Sequence, residues 1–253
     1  MSDSTTTYAE KVETTTTKRT TKLKEHIVEI VSDSGEGAQT AGQAFGTISA
    51  RMGNGVWTVE IIPAEIEPPA RTPAGASGNR IRLGEFYVTN MGDDADLVVA
   101  FNEQALLGRE EAGNLKKGCT ILLESVWRNH SNNLVADEYR KVYDRLIEDG
   151  YNVYEIPMEE ECLKIVENPR RGKNMFVLGM LCSIYSRDME LAQDQVRFIF
   201  RKKGDKVIEP NLKLLESGYN WAEENLDFKY EIPATAITEP QIVVNGNVAV
   251  GMG

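Results

Sequence analysis

The stretch His26-Ile27-Val28-Glu29-Ile30-Val31, then Ser32-Asp33-Ser34-Gly35-Glu36-Gly37, then Ala38-Gln39-Thr40-Ala41-Gly42, decides how this chain folds. Its first six residues are rich in β-branched side chains, which suit a pleated buried surface and read as a strand. Gly35 and Gly37 supply a turn. Beyond it, Ala41, Ala44, Phe45, Ile48 and Met52 fall at helical spacing and line one face of a helix over 38–52. Gly53-Asn54-Gly55 ends that helix with residues tolerant of positive φ, and Val56–Ile62 reads as a second strand. Strand, glycine turn, helix and strand make a βαβ unit. It predicts a mainly parallel sheet covered by helices on both faces.

Toward the amino terminus, residues 1–22 carry Thr14-Thr15-Thr16-Thr17 and almost no large apolar side chains. Such a segment buries too little surface to offset its ordering entropy and reads as a disordered Thr-rich tail, with a β-branched strand as the alternative. Toward the carboxyl terminus, residues 63–79 show no periodic element, and a loop of that length suggests function. Arg80-Ile81-Arg82-Leu83 alternates charged and apolar residues, as a half-exposed or edge strand does. Buried-type strands follow at Asp96–Phe101 and Cys119–Glu124, with a short helix around Glu103–Leu107 between them. An amphipathic helix at Val135–Asp149 leads to a strand at Tyr151–Ile156. Helical spacing then covers 158–166, 174–187, 189–201 and 210–226, the last opening at Pro210, and 241–245 is a short β-like run. The expected organisation is one three-layer α/β/α domain over 23–226, flanked by the tail and by an extended segment at 227–253.

Charge narrows the function. Lys+Arg 28 against Asp+Glu 39 leaves a net charge of −11 over 253 residues. Such a surface offers no broad cationic face, so neither nucleic acid nor an anionic membrane is an expected partner. No apolar run approaches the ~18 residues of a spanning helix, and Met1–Thr7 lacks the basic and apolar regions of a signal peptide. Cys119, Cys162 and Cys182 are widely spaced, and the apolar residues around Cys119 and Cys182 suggest buried thiols in a reducing cytoplasm. With His26 and His130 the only histidines, neither a zinc site nor an iron–sulfur cluster is expected within this chain.

Two clusters are candidate sites. Ser34, Gly35, Glu36, Gly37, Gln39 and Thr40 surround a helix start, where free N–H groups and the peptide dipoles favour a phosphate or carboxylate. Thr40 stands where a dinucleotide fingerprint has its third glycine, and Glu60, about twenty residues on, imitates its ribose-binding acid. The plain alternative is a tight turn that packs helix on sheet. Arg71, Asn79, Arg80 and Arg82 form the second cluster, which reads either as a clamp for carboxylate or phosphate or as a charged strand edge. Arg170-Arg171-Gly172-Lys173 reads as a solvated connection, and His130, after Glu124 and Trp127-Arg128-Asn129, reads as a surface histidine, with an acid–base site as the alternative. Glu159-Glu160-Glu161 complements a helix dipole.

Ser32-Asp33-Ser34-Gly35-Glu36-Gly37-Ala38-Gln39-Thr40-Ala41-Gly42 and Glu67-Pro68-Pro69-Ala70-Arg71 through Ser77-Gly78-Asn79-Arg80-Ile81-Arg82 resemble the gamma domain of 2-oxoacid:ferredoxin oxidoreductases. The likeness continues through Asp96–Asn102, Lys173-Asn174-Met175, Leu178-Gly179 and the region from Asn211 to Gly218-Tyr219, most of 26–225. Residues 243–251 look like the opening of the thiamine-diphosphate-type domain to which this domain is fused in many alpha subunits, which implies a truncated, split or processed polypeptide. The resemblance implies the three-layer gamma (domain III) fold of the pyruvate enzymes. It further implies a role in oxidative decarboxylation of a 2-oxoacid, 2-oxoglutarate by this likeness, with coenzyme A, or the reverse carboxylation. On that reading the chain caps the active site and helps form the coenzyme A channel, with Ser34, Gly35, Glu36, Gly37, Gln39 and Thr40 as one wall and Arg71, Asn79 and Arg80 nearby. No catalytic residue is expected here. Thiamine diphosphate, Mg and iron–sulfur clusters would lie in partner alpha and beta subunits or domains, which pass electrons to ferredoxin. The family's turn often reads Gly-x-Gly-Gly-Gln-Gly, whereas Ala38 and Thr40 replace two of those glycines here. A purely structural interface module and a free-standing dinucleotide-binding protein are the alternatives.

Overall fold

A computed structural model describes residues 18–65, 69–236, 239, 242, 244 and 246–252. Most of the expected tail, Glu67 and Pro68, and much of the expected 241–245 run lie outside the described residues. The elements are β1 (Arg19–Lys22), β2 (Glu25–Asp33), α1 (Ala38–Arg51), β3 (Gly55–Ile61), β4 (Ala76–Gly84), β5 (Ala95–Ala100), α2 (Glu103–Glu111), β6 (Leu115–Glu124), α3 (Asn133–Glu148), β7 (Asn152–Ile156), α4 (Met158–Leu163), α5 (Lys173–Ile184), α6 (Met189–Phe200), α7 (Asp205–Asn225), β8 (Phe228–Glu231) and α8 (Gly246–Met252).

Six strands form the main sheet in the order β3-β4-β2-β5-β6-β7. β2, β5, β6 and β7 pair in parallel, while β4 runs antiparallel to both β2 and β3. The β2–α1–β3 unit is therefore present, with both strands pointing the same way, but β4 is inserted between them. One face of the sheet packs on α1 and on the helices around α5, and α2 and α3 lie on the other. That is the expected three-layer arrangement. β2 is buried from His26 to Asp33 because it has a strand on each side and helices above and below.

Arg80-Ile81-Arg82-Leu83 corrects one expectation. These residues are the middle of β4, paired on both sides, and Arg80 is only 4% exposed. The alternating pattern imitates an edge because the charge at Arg80 is matched inside the fold. The edge on this side is β3.

Residues 19–22, placed in the tail by composition, form the strand alternative. β1 pairs in parallel with β8, Arg19 opposite Phe228 and Lys22 opposite Glu231. All four β1 residues are exposed, so the segment is held by backbone pairing. The helix expected from Pro210 opens five residues earlier, after Gly204 at φ 75°, leaving Pro210 inside α7 without an N–H to donate.

α5 is buried around its whole circumference. It crosses α7 at Gly179 and Gly218, where the helices touch through backbone. A Cβ on Gly179 would overlap the Leu215 carbonyl, and one on Gly218 would overlap the Phe176 carbonyl. Two of the short motifs that carried the family resemblance are thus packing motifs.

Candidate functional site

The winding of the sheet reverses between β2 and β5. From β2 the chain crosses to β4 and β3 on one side, and from β5 it continues to β6 and β7 on the other. In open α/β sheets, the crevice outside the carboxyl ends of two such strands is where ligands bind. Here that crevice is bounded by the Ser34–Gly37 loop after β2 and by Phe101, Asn102 and Glu103 after β5.

Gly35 (φ 85°) and Gly37 (φ 86°) make the turn, both left-handed and therefore suited to glycine. At Gly37 a Cβ would lie 2.5 Å from Asn174 Nδ2, so the loop also needs glycine to sit against α5. Gly37 is the N-cap of α1 and offers no capping side chain. The N–H of Ala41 bonds to the Gly37 carbonyl, and among the described residues no acceptor meets the N–H groups of Ala38, Gln39 and Thr40. Ser34 and Gly35 are exposed, and Gln39 and Thr40 half-buried. Gln39 donates Nε2–H to the Ile61 carbonyl at 3.3 Å.

Glu36 turns inward. Its Oε1 lies 3.0 Å from Lys173 Nζ, with Arg170 Nε at 3.9 Å and exposed. Lys173 is 1% exposed and stands 5.3 Å above the Phe101 ring, with Glu159 at 4.0 Å. The reading of Arg170–Lys173 as a solvated connection therefore fails at Lys173. A lysine opening a helix opposes the dipole, so its placement calls for a buried carboxylate, and that signal was available in the sequence. Glu124, at the end of β6, which the sequence offers only as an acid beside His130, is turned into the fold. It is fully buried, accepts N–H bonds from Val126 (3.1 Å) and Glu159 (2.9 Å), and burial pushes its carboxyl up to about 7 against the pull of Lys173.

The second cluster is split. Arg71 belongs to the crevice: its N–H donates to both Asp33 oxygens at 3.0 Å, and its guanidinium is held by both oxygens of the buried Glu103. It also lies 4.2 Å over the Trp127 ring. This cage holds Arg71 at φ 55°, a left-handed conformation costly for a side-chain-bearing residue. Asn79 faces α1 instead, fully buried against Gly42, and neither carboxamide atom finds a partner among the described residues. Arg80 points to the opposite face. Glu29 Oε1 accepts its Nε–H at 2.6 Å, Arg109 shares Glu29, and the terminal nitrogens reach the Gly92 and Asp93 carbonyls and Asn114. These last partners precede β5 and β6, at the other end of the sheet from the crevice. Arg82 pairs with Glu25.

Glu60 lies on the edge strand and accepts from Gln43 at 2.6 Å. With β4 between β2 and β3, it does not occupy the neighbouring parallel strand that a dinucleotide fingerprint requires. His130 is half-buried and its Nδ1 accepts from the Asn132 N–H. Cys119, Cys162 and Cys182 are buried free thiols on β6, α4 and α5. Among the described residues no three His, Cys, Asp or Glu side chains form a metal-sized group, and no helix is long and apolar enough to cross a membrane.

These features define a doubly wound α/β domain with an uncapped helix start at its switch-point crevice. The chain belongs to the pyruvate ferredoxin/flavodoxin oxidoreductase family, whose profile matches residues 28–221. It is 29% identical over 92% of its length to the 2-oxoglutarate oxidoreductase subunit KorA of Mycobacterium tuberculosis, of which it covers 37%. It is 33% identical over 54% of its length to the ketoisovalerate oxidoreductase subunit VorA of Methanothermobacter marburgensis, covering 25% of it. The chain thus spans about a third or less of these curated relatives. Among solved structures, the 2-oxoglutarate:ferredoxin oxidoreductase of Magnetococcus marinus, with 2-oxoglutarate, coenzyme A and succinyl-CoA bound, matches 90% of this chain over 36% of its own (TM-score 0.70, 23% identity). The pyruvate oxidoreductase subunit PORC of Thermotoga maritima is covered over 97% of its length (TM-score 0.54, 18% identity). These likenesses establish the gamma-type fold.

Proposed function

We propose that this chain is the gamma-type part of a 2-oxoacid:ferredoxin oxidoreductase acting on 2-oxoglutarate, and that it caps the active site and forms one wall of the coenzyme A channel. The carrying observation is the start of α1, where the N–H groups of Ala38, Gln39 and Thr40 meet no acceptor among the described residues and which follows the carboxyl end of β2 at the switch point. Such a terminus complements a phosphate or carboxylate without a dedicated cation. Ser34 and Gly35 are exposed beside it, and Gln39 and Thr40 form its first turn. Arg71 serves this wall indirectly, by pinning the loop after residue 68 to Asp33 and Glu103. The likeness to KorA along 92% of the chain supports 2-oxoglutarate as the substrate.

In this reading the chain positions and encloses, and partner alpha and beta subunits or domains hold thiamine diphosphate, Mg and the iron–sulfur clusters and pass electrons to ferredoxin. The enzyme would work in the cytoplasm, where three unpaired thiols persist. The test is isothermal titration of coenzyme A into the chain with and without its co-purifying partner subunits. Binding in the assembled state supports the wall, and no heat in either state removes it.

A second reading, a structural interface module without ligand contact, is favoured by one observation. The charges of Arg71 and Arg80 are already matched by Glu103 and Glu29. It predicts full catalytic loss on removing the chain but no change in the coenzyme A requirement on altering the Ser34–Thr40 loop.

A further inference from the structure

Arg187, just past the far end of α5 from Lys173, is a buried cation with no counter-ion among the described residues. It is 6% exposed, and no carboxylate lies within 4.0 Å of it among the described residues. Its Nε–H goes to the Tyr185 carbonyl at 2.8 Å and Nη1 to Asn54 Oδ1, both neutral acceptors. Nη2 has no partner among the described residues. The ionisable groups whose charge acts on it are Cys182 and Tyr185, and burial keeps both of those protonated. Guanidinium stays charged throughout the working pH range, so among the described residues this charge is met only by neutral acceptors.

Beside it lies a cavity of about 290 Å³, lined by Met52, Asn54, Ser186, Arg187, Glu231 and Pro233 among others. That size is at the small end of ligand pockets. Ser186, exposed and held at φ 53°, stands at its rim. Glu231 is the acid of the lining, but it pairs with Lys22, 3.8 Å away, and lies more than 4.0 Å from the Arg187 guanidinium. Among the described residues, therefore, no acid is paired with Arg187.

We propose that this cavity binds a compact oxyanion, carboxylate or phosphate, which receives Nη2–H of Arg187. The site is independent of the coenzyme A wall: α5 separates them by about 17 Å at ~1.5 Å per residue. An anion there neutralises Arg187 and ties together the ends of α1 and α5 and the segment after β8, so occupancy stabilises the folded chain.

The experiment uses the full chain, with inorganic phosphate and acetate as probes. Thermal denaturation is followed in each anion against chloride at matched ionic strength, alongside isothermal titration. Expected is a saturable rise in Tm, with one bound equivalent that disappears in the Arg187 variant while any binding at the α1 start persists. Phosphate binding more tightly marks a tetrahedral ligand, and acetate binding more tightly marks a carboxylate. Arg187→Leu should weaken binding at least tenfold. Should that variant not fold, Ser186→Asp, which keeps Arg187 and places an acid at the cavity rim, should likewise abolish the anion-linked rise. Absence of saturable binding by either anion, or binding unchanged in the variants, overturns the proposal.

Discussion

Lys173 Nζ lies 3.0 Å from Glu36 Oε1, both side chains buried, joining the first residue of α5 to the residue that precedes the α1 N-cap. Removing one partner strands the other charge inside the fold, at a cost of about 3–5 kcal/mol. Lys173→Ala should therefore lower urea stability by that order, whereas Lys173→Met together with Glu36→Gln should recover most of it. A double variant as unstable as the two losses summed would show that the pair does not interact.

The titrations of Glu124 and His26 oppose one another. Burial raises the Glu124 carboxyl from its ordinary 4.5 to about 7, so the folded state holds its proton more tightly. Its contribution is greatest below pH 4.5 and is lost as pH rises through about 7. Burial lowers His26 from 6.5 to about 4, and its Nδ1 lies 2.6 Å from the Tyr185 hydroxyl. Its contribution is full above pH 6.5 and is lost as pH falls toward 4. Each swing is worth about 3 kcal/mol, so between pH 4.5 and 6.5 they largely cancel. Glu124→Gln should uncover a stability that rises with pH across that window, read from urea midpoints. A flat profile would refute the assignment.

The α5–α7 crossing admits no side chain at Gly179 or Gly218. Alanine at either position must push the helices apart, so each should cost about 3 kcal/mol or prevent folding, at or above the usual overpacking range. Gly113→Ala is the contrast for space, since nothing lies within 4 Å of that position, and should cost only its left-handed backbone strain at φ 70°. Circular dichroism melts separate the two classes.

Burial pushes the thiols of Cys162 and Cys182 up to about 12 and raises that of Cys119 as well. The native chain should be inert to a disulfide reagent at pH 8 over minutes, while all three cysteines react once it is unfolded. Rapid labelling of Cys162 or Cys182 in the native state would contradict the packing of α4 and α5, and labelling of Cys119 would contradict the burial of β6.

What could be read from residue order was local. A β-branched run, two glycines and an apolar helical stripe were enough for β2, its turn and α1. Insertion of β4 between β2 and β3 was not legible, because strand order depends on partners far along the chain. The same distance hid Arg80, whose partner Glu29 lies 51 residues away. The turn into α1 is legible because two glycines before an apolar helical stripe mark a strand-to-helix junction by themselves. Glu103 and Trp127, which hold Arg71, were missed because each looks ordinary beside its own neighbours.

The most direct test is steady-state kinetics of the assembled oxidoreductase carrying Ser34→Glu or Ser34→Lys, at an exposed position in the turn that leads into α1. A carboxylate there opposes an incoming phosphate, and a cation attracts it. The account predicts that Ser34→Glu raises KM for coenzyme A several-fold, that Ser34→Lys leaves or lowers it, and that kcat and the KM for 2-oxoglutarate hardly change. Identical coenzyme A dependence in both variants and the parent enzyme would contradict it.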